Sequence, residues 1–289
     1  MIPAKYKKLI SIHFGFFYKP LKSLWGVFLI IPKSKDKIKL LFFKEKQIVK
    51  TSDDFLIVID PNNGYVDKKI FINKNWESTL CKKIMSILKP NSVFIDVGGN
   101  IGYISLFAAR NTPLGTVHYF EPIPKLHKQC EESISLNNFS NLKTHNIGCG
   151  VEKKTEQLHI NKNNIGNSGM YTKGAEVIEI EIDTLDSLLK EEQQIDVIKI
   201  DVEGYELKTL QGMTRILQEQ KPYVFIEYSP MLHKDKEDGV KILDLLFNLG
   251  YELEDIYLEK IYNNLDEIDH HYLNRVGQTD FLCTPQNKK

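Results

Sequence analysis

The segment VFIDVGGNIGYISLFAAR, from Val93 to Arg110, constrains the fold more than any other part of the chain. A short apolar run stops at Asp96, a glycine-rich turn follows, and an amphipathic helical pattern begins. Strand, turn and helix N-terminus in this order build a nucleotide-type cofactor site in an α/β sheet, because free backbone N–H groups and the helix dipole converge above the turn. The spacing selects among cofactors. Dinucleotide sites read G-x-G-x-x-G, which brings the backbone close to a pyrophosphate, whereas Gly98, Gly99 and Gly102 are spaced G-G-x-x-G behind an acid. A carboxylate at the strand tip disfavours phosphate and favours an ammonium or sulfonium. The segment therefore points to S-adenosylmethionine, held by Asp96, Gly98, Gly99, Asn100 and Gly102.

Three further strand ends extend the pattern. The run TVHYFEP places Glu121 at the tip of a second strand, about 25 residues beyond Asp96, where an acid can accept both ribose hydroxyls. A third run, NLKTHNIG, is expected to end near Ile147 and Gly148, giving an adenine ring apolar atoms and backbone to lie on. A fourth, Ile195 to Ile200, exits into Asp201, Glu203 and Glu206, where the reaction is expected to occur.

In order along the chain, FIDVGGNIGY, YFEP, LNN, GNSGM, TLDSLL, KIDVEGYE, FIEY and FLCTP resemble the FkbM-type methyltransferases of the class I S-adenosylmethionine-dependent fold. The likeness runs from about Trp76 to Pro285 and leaves Met1 to Asn75 outside. Members of that family more often read D-V-G-A-N-x-G, so Gly99 replaces an alanine and is expected to loosen the turn slightly. The resemblance implies O-methylation, commonly of a sugar hydroxyl in a glycan or natural product. It also marks Asn167 and Ser168, within a stretch read as the connection of a hairpin formed by QLHI and VIEIEI, as candidates to fold over bound substrate.

Methyl transfer needs an in-line approach and removal of the hydroxyl proton. Asp201 and Glu203 are the candidate bases, and the sequence does not divide the role between them; grouped like charges would raise the pKa of one. The competing reading makes them cap and first-turn acids of the helix that follows. Lys199, on an otherwise apolar strand, is expected to pair with one of these acids. Glu227 and Tyr228, at the tip of the fifth strand, are candidates for the acceptor pocket. His270 and His271 lie in a polar segment read as a solvated loop, and no spacing signals a metal.

Periodicity gives short β-type runs (IKLLFF, FLIVID, KKIFI) between Ile38 and Ile72, then a helix from Trp76 to Pro90, then alternating strands and helices. The expected fold is α/β: a class I methyltransferase Rossmann-like sheet of seven strands, the last antiparallel, with helices on both faces. A small β-rich N-terminal extension (1–75) precedes the S-adenosylmethionine-binding domain (76–289).

Formal net charge is zero, but the first fifty residues hold twelve lysines against Asp36 and Glu45. That end is expected to form a subdomain with solvated lysines, with contact to an anionic membrane as the alternative. The run SLWGVFLIIP is too short to span a bilayer and lacks a cleavage site for a signal peptide. Cys81, Cys130, Cys149 and Cys283 show no redox or metal spacing and read as reduced packing residues of a cytoplasmic protein. An acidic body argues against nucleic acid as partner, leaving a small molecule or glycan as acceptor. The rival readings are a nicotinamide-dependent oxidoreductase and a non-catalytic, membrane-docked cofactor-binding protein.

Overall fold

The computed structural model describes Leu40 and residues 43–171, 176–192, 194–230, 232–233, 235, 237–268 and 278–286. The lysine-rich N-terminal segment and the pair His270 and His271 lie outside the described residues.

In chain order, β1 (Gln47–Lys50) and β2 (Leu56–Ile59) form an antiparallel hairpin, followed by α1 (Tyr65–Asn73) and α2 (Ser78–Met85). Next come β3 (Val93–Val97), α3 (Tyr103–Asn111), β4 (Thr116–Phe120), α4 (Pro124–Asn137) and β5 (Leu142–His145). A three-stranded excursion follows: β6 (Gly148–Cys149), β7 (Lys154–Ile160) and β8 (Glu176–Asp183). The chain closes with α5 (Leu185–Leu188), β9 (Val197–Ile200), α6 (Glu206–Gln211), β10 (Tyr223–Tyr228), α7 (Asp238–Asn248), β11 (Tyr251–Asp255), β12 (Lys260–Tyr262) and β13 (Thr279–Pro285).

The main sheet runs β12-β11-β13-β10-β9-β3-β4-β5, with β13 antiparallel to both neighbours. All seven expected strands are present, and β12 adds an eighth at the edge. The parallel strands are nearly continuous apolar runs because both faces are covered. Their alternation divides the core. Phe94, Val197 and Phe225 pack into one apolar cluster, and Ile95, Val97, Ile198 and Ile200 into the other. Asp96 and Lys199 are register partners on β3 and β9, so they share the face of Phe94 and Val197.

From β3 the chain steps outward to β4 and β5, then returns to lay β9 on the other side of β3. The crevice at the C-terminal ends of β3 and β9 is the switch point where open α/β sheets bind ligands.

Two expectations about elements change. The run KKIFI is helical, within α1, rather than a strand: Ile70 is its buried anchor, and buried Asp67 accepts from the Asp60 amide at 2.7 Å and from Gln129 Nε2 at 2.9 Å. Tertiary contacts at the N-terminal turn override the β preference of its isoleucines and phenylalanine. The third core strand stops at His145, and Gly148 belongs to β6 in the separate sheet.

The hairpin is bound to the sheet domain through a polar stripe at i, i+4 and i+8 of α4. Ser133 Oγ and Asn137 Oδ1 accept from the Val58 and Leu56 amides, while Gln129 and Asn137 side-chain amides donate to the carbonyls of the same two residues. The exposed edge of β2 is thereby satisfied by side chains. All four cysteines are free and buried. No helix among the described residues is long and apolar enough to cross a membrane.

Candidate active site

A cavity of about 920 Å³ opens over the crevice. On one side the chain leaves β3 through Gly98, Gly99 and Asn100. A Cβ on Gly98 would lie 1.8 Å from the Asp201 carbonyl oxygen, so the turn presses against the exit of β9 with no room for a side chain. The amides of the turn are engaged internally: those of Gly98 and Gly99 both donate to the Phe120 carbonyl at 3.0 Å, and that of Asn100 to Glu121 Oε2 at 2.9 Å. Three of the amides expected to be free above the turn are therefore already used. A phosphate cradle needs such donors, and here they serve the neighbouring strand instead.

Gly98, Gly99, Asn100, Glu121, Ile147 and Gly148 all line the cavity, as expected. Asp96 and Gly102 do not. Asp96 is fully buried beneath the turn, where it accepts from Ser105 Oγ at 2.6 Å and stands 3.6 Å from Lys199 Nζ. Gly102 caps α3 behind the cavity wall. Gly99 also has a different reason from the one expected. A Cβ there would come within 2.4 Å of the Tyr119 ring, so the glycine accommodates a packed aromatic ring rather than loosening the turn.

The residues present fit S-adenosylmethionine. Glu121 is 5 % exposed, and burial pushes its carboxyl up to about 8; Oε1 and Oε2 accept from the amides of Ile123 and Asn100, leaving lone pairs for a ribose diol. Phe120, Ile123 and Ile147 supply apolar wall for a base. The amides of Gly98, Gly99 and Asn100 are not offered to a diphosphate, which weighs against the nicotinamide reading.

On the other side, Lys199 bridges the site. Its ammonium lies 3.2 Å from Asp201 Oδ2. Burial works against that charge, but Asp201, Asp96 and Glu77 hold it above the ordinary lysine range. The expected ion pair is therefore present, with two acids rather than one. Asp201 and Glu203 both line the cavity, and neither caps the following helix. Glu206 takes that backbone role instead, accepting from the amides of Val202 and Gly204 at 3.1 Å each, while His233 Nδ1 is 2.9 Å from the Gly204 carbonyl oxygen. This clamp fixes a tight loop in which Glu203 is left-handed, with φ 51. Glu203 has no hydrogen-bond or ion-pair partner among the described residues. Burial, then Asp201 and Glu206, raise its carboxyl well above the usual range.

Glu227, Asn167 and Ser168 line the cavity, whereas Tyr228 does not. Period-two alternation turns Tyr228 to the opposite face of β10, where its ring packs edge-on against Phe281. The Asn-rich stretch expected to be a flexible connection is docked. Asn164 Oδ1 accepts from the Tyr65 amide at 3.0 Å, the Ile165 amide donates to the Asn63 carbonyl at 2.8 Å, and Gly166 packs on Asn100. Asn164 and Asn167 bond to each other, and Ser168 Oγ accepts from the Asn161 amide.

The wall residues that escaped the sequence reading include Tyr65, Trp76 and Glu77. Tyr65 and Trp76 meet edge-to-face at 5.9 Å. Glu77 precedes α2 with φ 45, and burial pushes its carboxyl up to about 8. The signal available was the WE pair directly ahead of a helix, which reads equally well as ordinary helix entry. Among the described residues, no group of three His, Cys, Asp or Glu side chains is arranged to hold a metal ion.

A switch-point crevice with acids at the tips of the first two strands and a carboxylate loop after the fourth defines a class I methyltransferase fold and site. The profile of the methyltransferase FkbM domain matches residues 96–253, more than half of the chain, and the chain belongs to the FkbM methyltransferase family. It is an S-adenosylmethionine-dependent enzyme. Methyltransferase 1 of Beauveria bassiana is 26 % identical over 192 residues, covering 57 % of this chain and 74 % of its own. Methyltransferase sdnD of Sordaria araneosa is 28 % identical over 200 residues, covering 56 % and 77 %. The solved FkbM methyltransferase of Methylobacillus flagellatus superposes with a TM-score of 0.45 at 16 % identity, over 68 % of this chain; the match spans 45 % of that protein's length.

Proposed function

We propose that the enzyme transfers a methyl group to a hydroxyl of a sugar ring in a glycan or glycosylated small molecule, with Glu203 as general base. The observation that carries this reading is the division of labour after β9: Asp201 is engaged by Lys199, whereas Glu203 reaches the cavity unpaired. When bound, S-adenosylmethionine supplies an electrophilic methyl. Gly98, Gly99, Asn100 and Glu121 would hold it on the β3–β4 side, and the acceptor would occupy the β9–β10 side.

The acceptor hydroxyl donates its proton to the Glu203 carboxylate as the oxygen attacks, and burial beside Asp201 and Glu206 raises that carboxyl well above the usual range, which makes it a stronger base than an exposed glutamate. Tyr65 and Trp76 offer the flat apolar faces on which a sugar ring lies, and Asn167, Ser168 and Glu227 offer polar atoms for its hydroxyls. The docked Asn161–Met170 stretch walls the cavity and helps exclude water.

Candidate glycan acceptors, assayed by release of S-adenosylhomocysteine and then by mass spectrometry of the methylated product, test the substrate class. In Glu203→Gln, kcat is expected to fall by about 10²–10⁴ while donor affinity stays within about twofold. Unchanged turnover in that variant would remove Glu203 from the role.

A further inference from the structure

The acceptor side of the cavity holds more carboxylates than one proton transfer uses. Beyond Asp201 and Glu203, Glu227 stands at the end of β10, and Asp280 is its register partner on antiparallel β13. Glu77 approaches from the start of α2. Glu227 lines the cavity, yet it is only 7 % exposed and its Oε2 is buried with no hydrogen-bond partner. Asp280 Oδ2 accepts from Tyr257 Oη at 2.6 Å.

Among the described residues, positive charge is scarce at this end. Lys199 is already shared between Asp96 and Asp201. Lys68 and Lys69 belong to the α1 wall, where Lys69 Nζ lies 5.2 Å from the centre of the Tyr65 ring. Burial and the acids around it raise the Glu227 carboxyl well above the usual range in the ligand-free chain, and an ammonium brought beside it favours the charged form and supplies the missing donor. The donor's own ammonium belongs over the turn after β3. That turn is two strands from β10, or about 10 Å at the usual strand spacing.

We infer that Glu227, with Asp280 beside it on the neighbouring strand, binds an ammonium group carried by the acceptor, so that the enzyme selects an amine-bearing ring such as an amino sugar. The inference rests on the sugar-hydroxyl reading only for the nature of the ring; the ammonium site stands on the orphaned carboxylate and its neighbours. An acceptor phosphorylated at this end would meet carboxylates instead of donors and is rejected.

Two matched pairs of probes, titrated into the full chain saturated with S-adenosylhomocysteine, test this by ligand-observed NMR at about pH 6.5, where aliphatic amines are ionised. D-glucosamine is expected to bind at least about tenfold more tightly than D-glucose, and cyclohexylamine likewise relative to cyclohexanol. Both preferences should fall below about twofold in Glu227→Gln. If the amines bind no better than their neutral counterparts while glucose binds, the ammonium site is wrong and the sugar reading survives. If neither sugar binds but cyclohexylamine does, and only with Glu227 intact, the ammonium site stands and the sugar reading fails. No binding by either amine, or a preference unchanged in Glu227→Gln, overturns the inference. Should Glu227→Gln lose S-adenosylhomocysteine and so report misfolding, Asp280→Asn is the second variant, and an undiminished preference there overturns it equally.

Discussion

At the residue scale, Gly99 shows how a departure from a family pattern can be a packing decision. An alanine methyl there would meet the Tyr119 ring, whose hydroxyl donates to the Asn100 carbonyl across the same turn. Gly99→Ala is expected to destabilise the protein by about 1–3 kcal/mol through overpacking and to weaken donor binding. Gly99→Ala with Tyr119→Val should recover part of the stability, measured by urea unfolding; full stability in the single variant would refute the steric account. Lys199 carries a second prediction. It is the cation between buried Asp96 and cavity-facing Asp201, so Lys199→Met leaves Asp96 uncompensated and should cost about 3–5 kcal/mol, partly restored by adding Asp96→Asn. A near-neutral Lys199→Met would show that Asp96 is already protonated, as burial favours. The gathering of Asp201, Glu203 and Lys199 at one cavity was legible as a group, because charged residues at the exit of an apolar strand stand out from it. Their division was not, since it depends on which side chain meets the lysine and on Glu206 taking the backbone contacts that Asp201 and Glu203 were candidates for.

At the element scale, the strands that carry the site were the easiest to read. VFIDV, TVHYF, VIKI and YVFIEY are nearly continuous apolar runs, the pattern of a parallel sheet covered on both faces. Elements decided by tertiary contact were harder. The residues of α1 alternate as a strand would, and their helical state depends on Asp67 receiving hydrogen bonds from Asp60 and from Gln129 on α4. The Asn161–Met170 stretch was expected to be flexible from its asparagines and glycines, but its polar side chains meet partners distant in sequence. Asn164 accepts from Tyr65, and Gly64, with φ 111, closes to 2.6 Å of the Asn164 Cα when a Cβ is built on it. Asn164→Ala should therefore free this wall without unfolding the molecule. KM for the acceptor is expected to rise by about tenfold, with a thermal midpoint within a few degrees of the parent. A large loss of stability with unchanged KM would make the stretch a scaffold part rather than a cavity wall.

Across the whole molecule, function and stability draw on the same buried carboxylates with opposite signs. Burial holds the carboxyls of Glu121 and Glu77 up at about 8, and those of Glu203 and Glu227 well above their ordinary range. Between the ordinary glutamate value and these raised ones, the folded chain keeps protons that the unfolded chain has released. Stability contributed by such groups is complete at low pH and is lost as pH rises through the folded values. The buried histidines act the other way: burial lowers His118, His127 and His145, the last to about 4, so their contribution grows as pH rises toward 6.5 and is constant above it. From pH 6.5 to about 8 the carboxylates alone set the slope among these groups, and the urea midpoint of the ligand-free enzyme is expected to fall across that window. Glu121→Gln should flatten the fall, because glutamine has no proton to lose. Turnover at saturating substrates should rise with pH as Glu203 gives up its proton, because its raised carboxyl is a base only when ionised. A urea midpoint that is flat or rising from pH 6.5 to about 8 would mean that Glu121 and Glu77 are already ionised in the folded state.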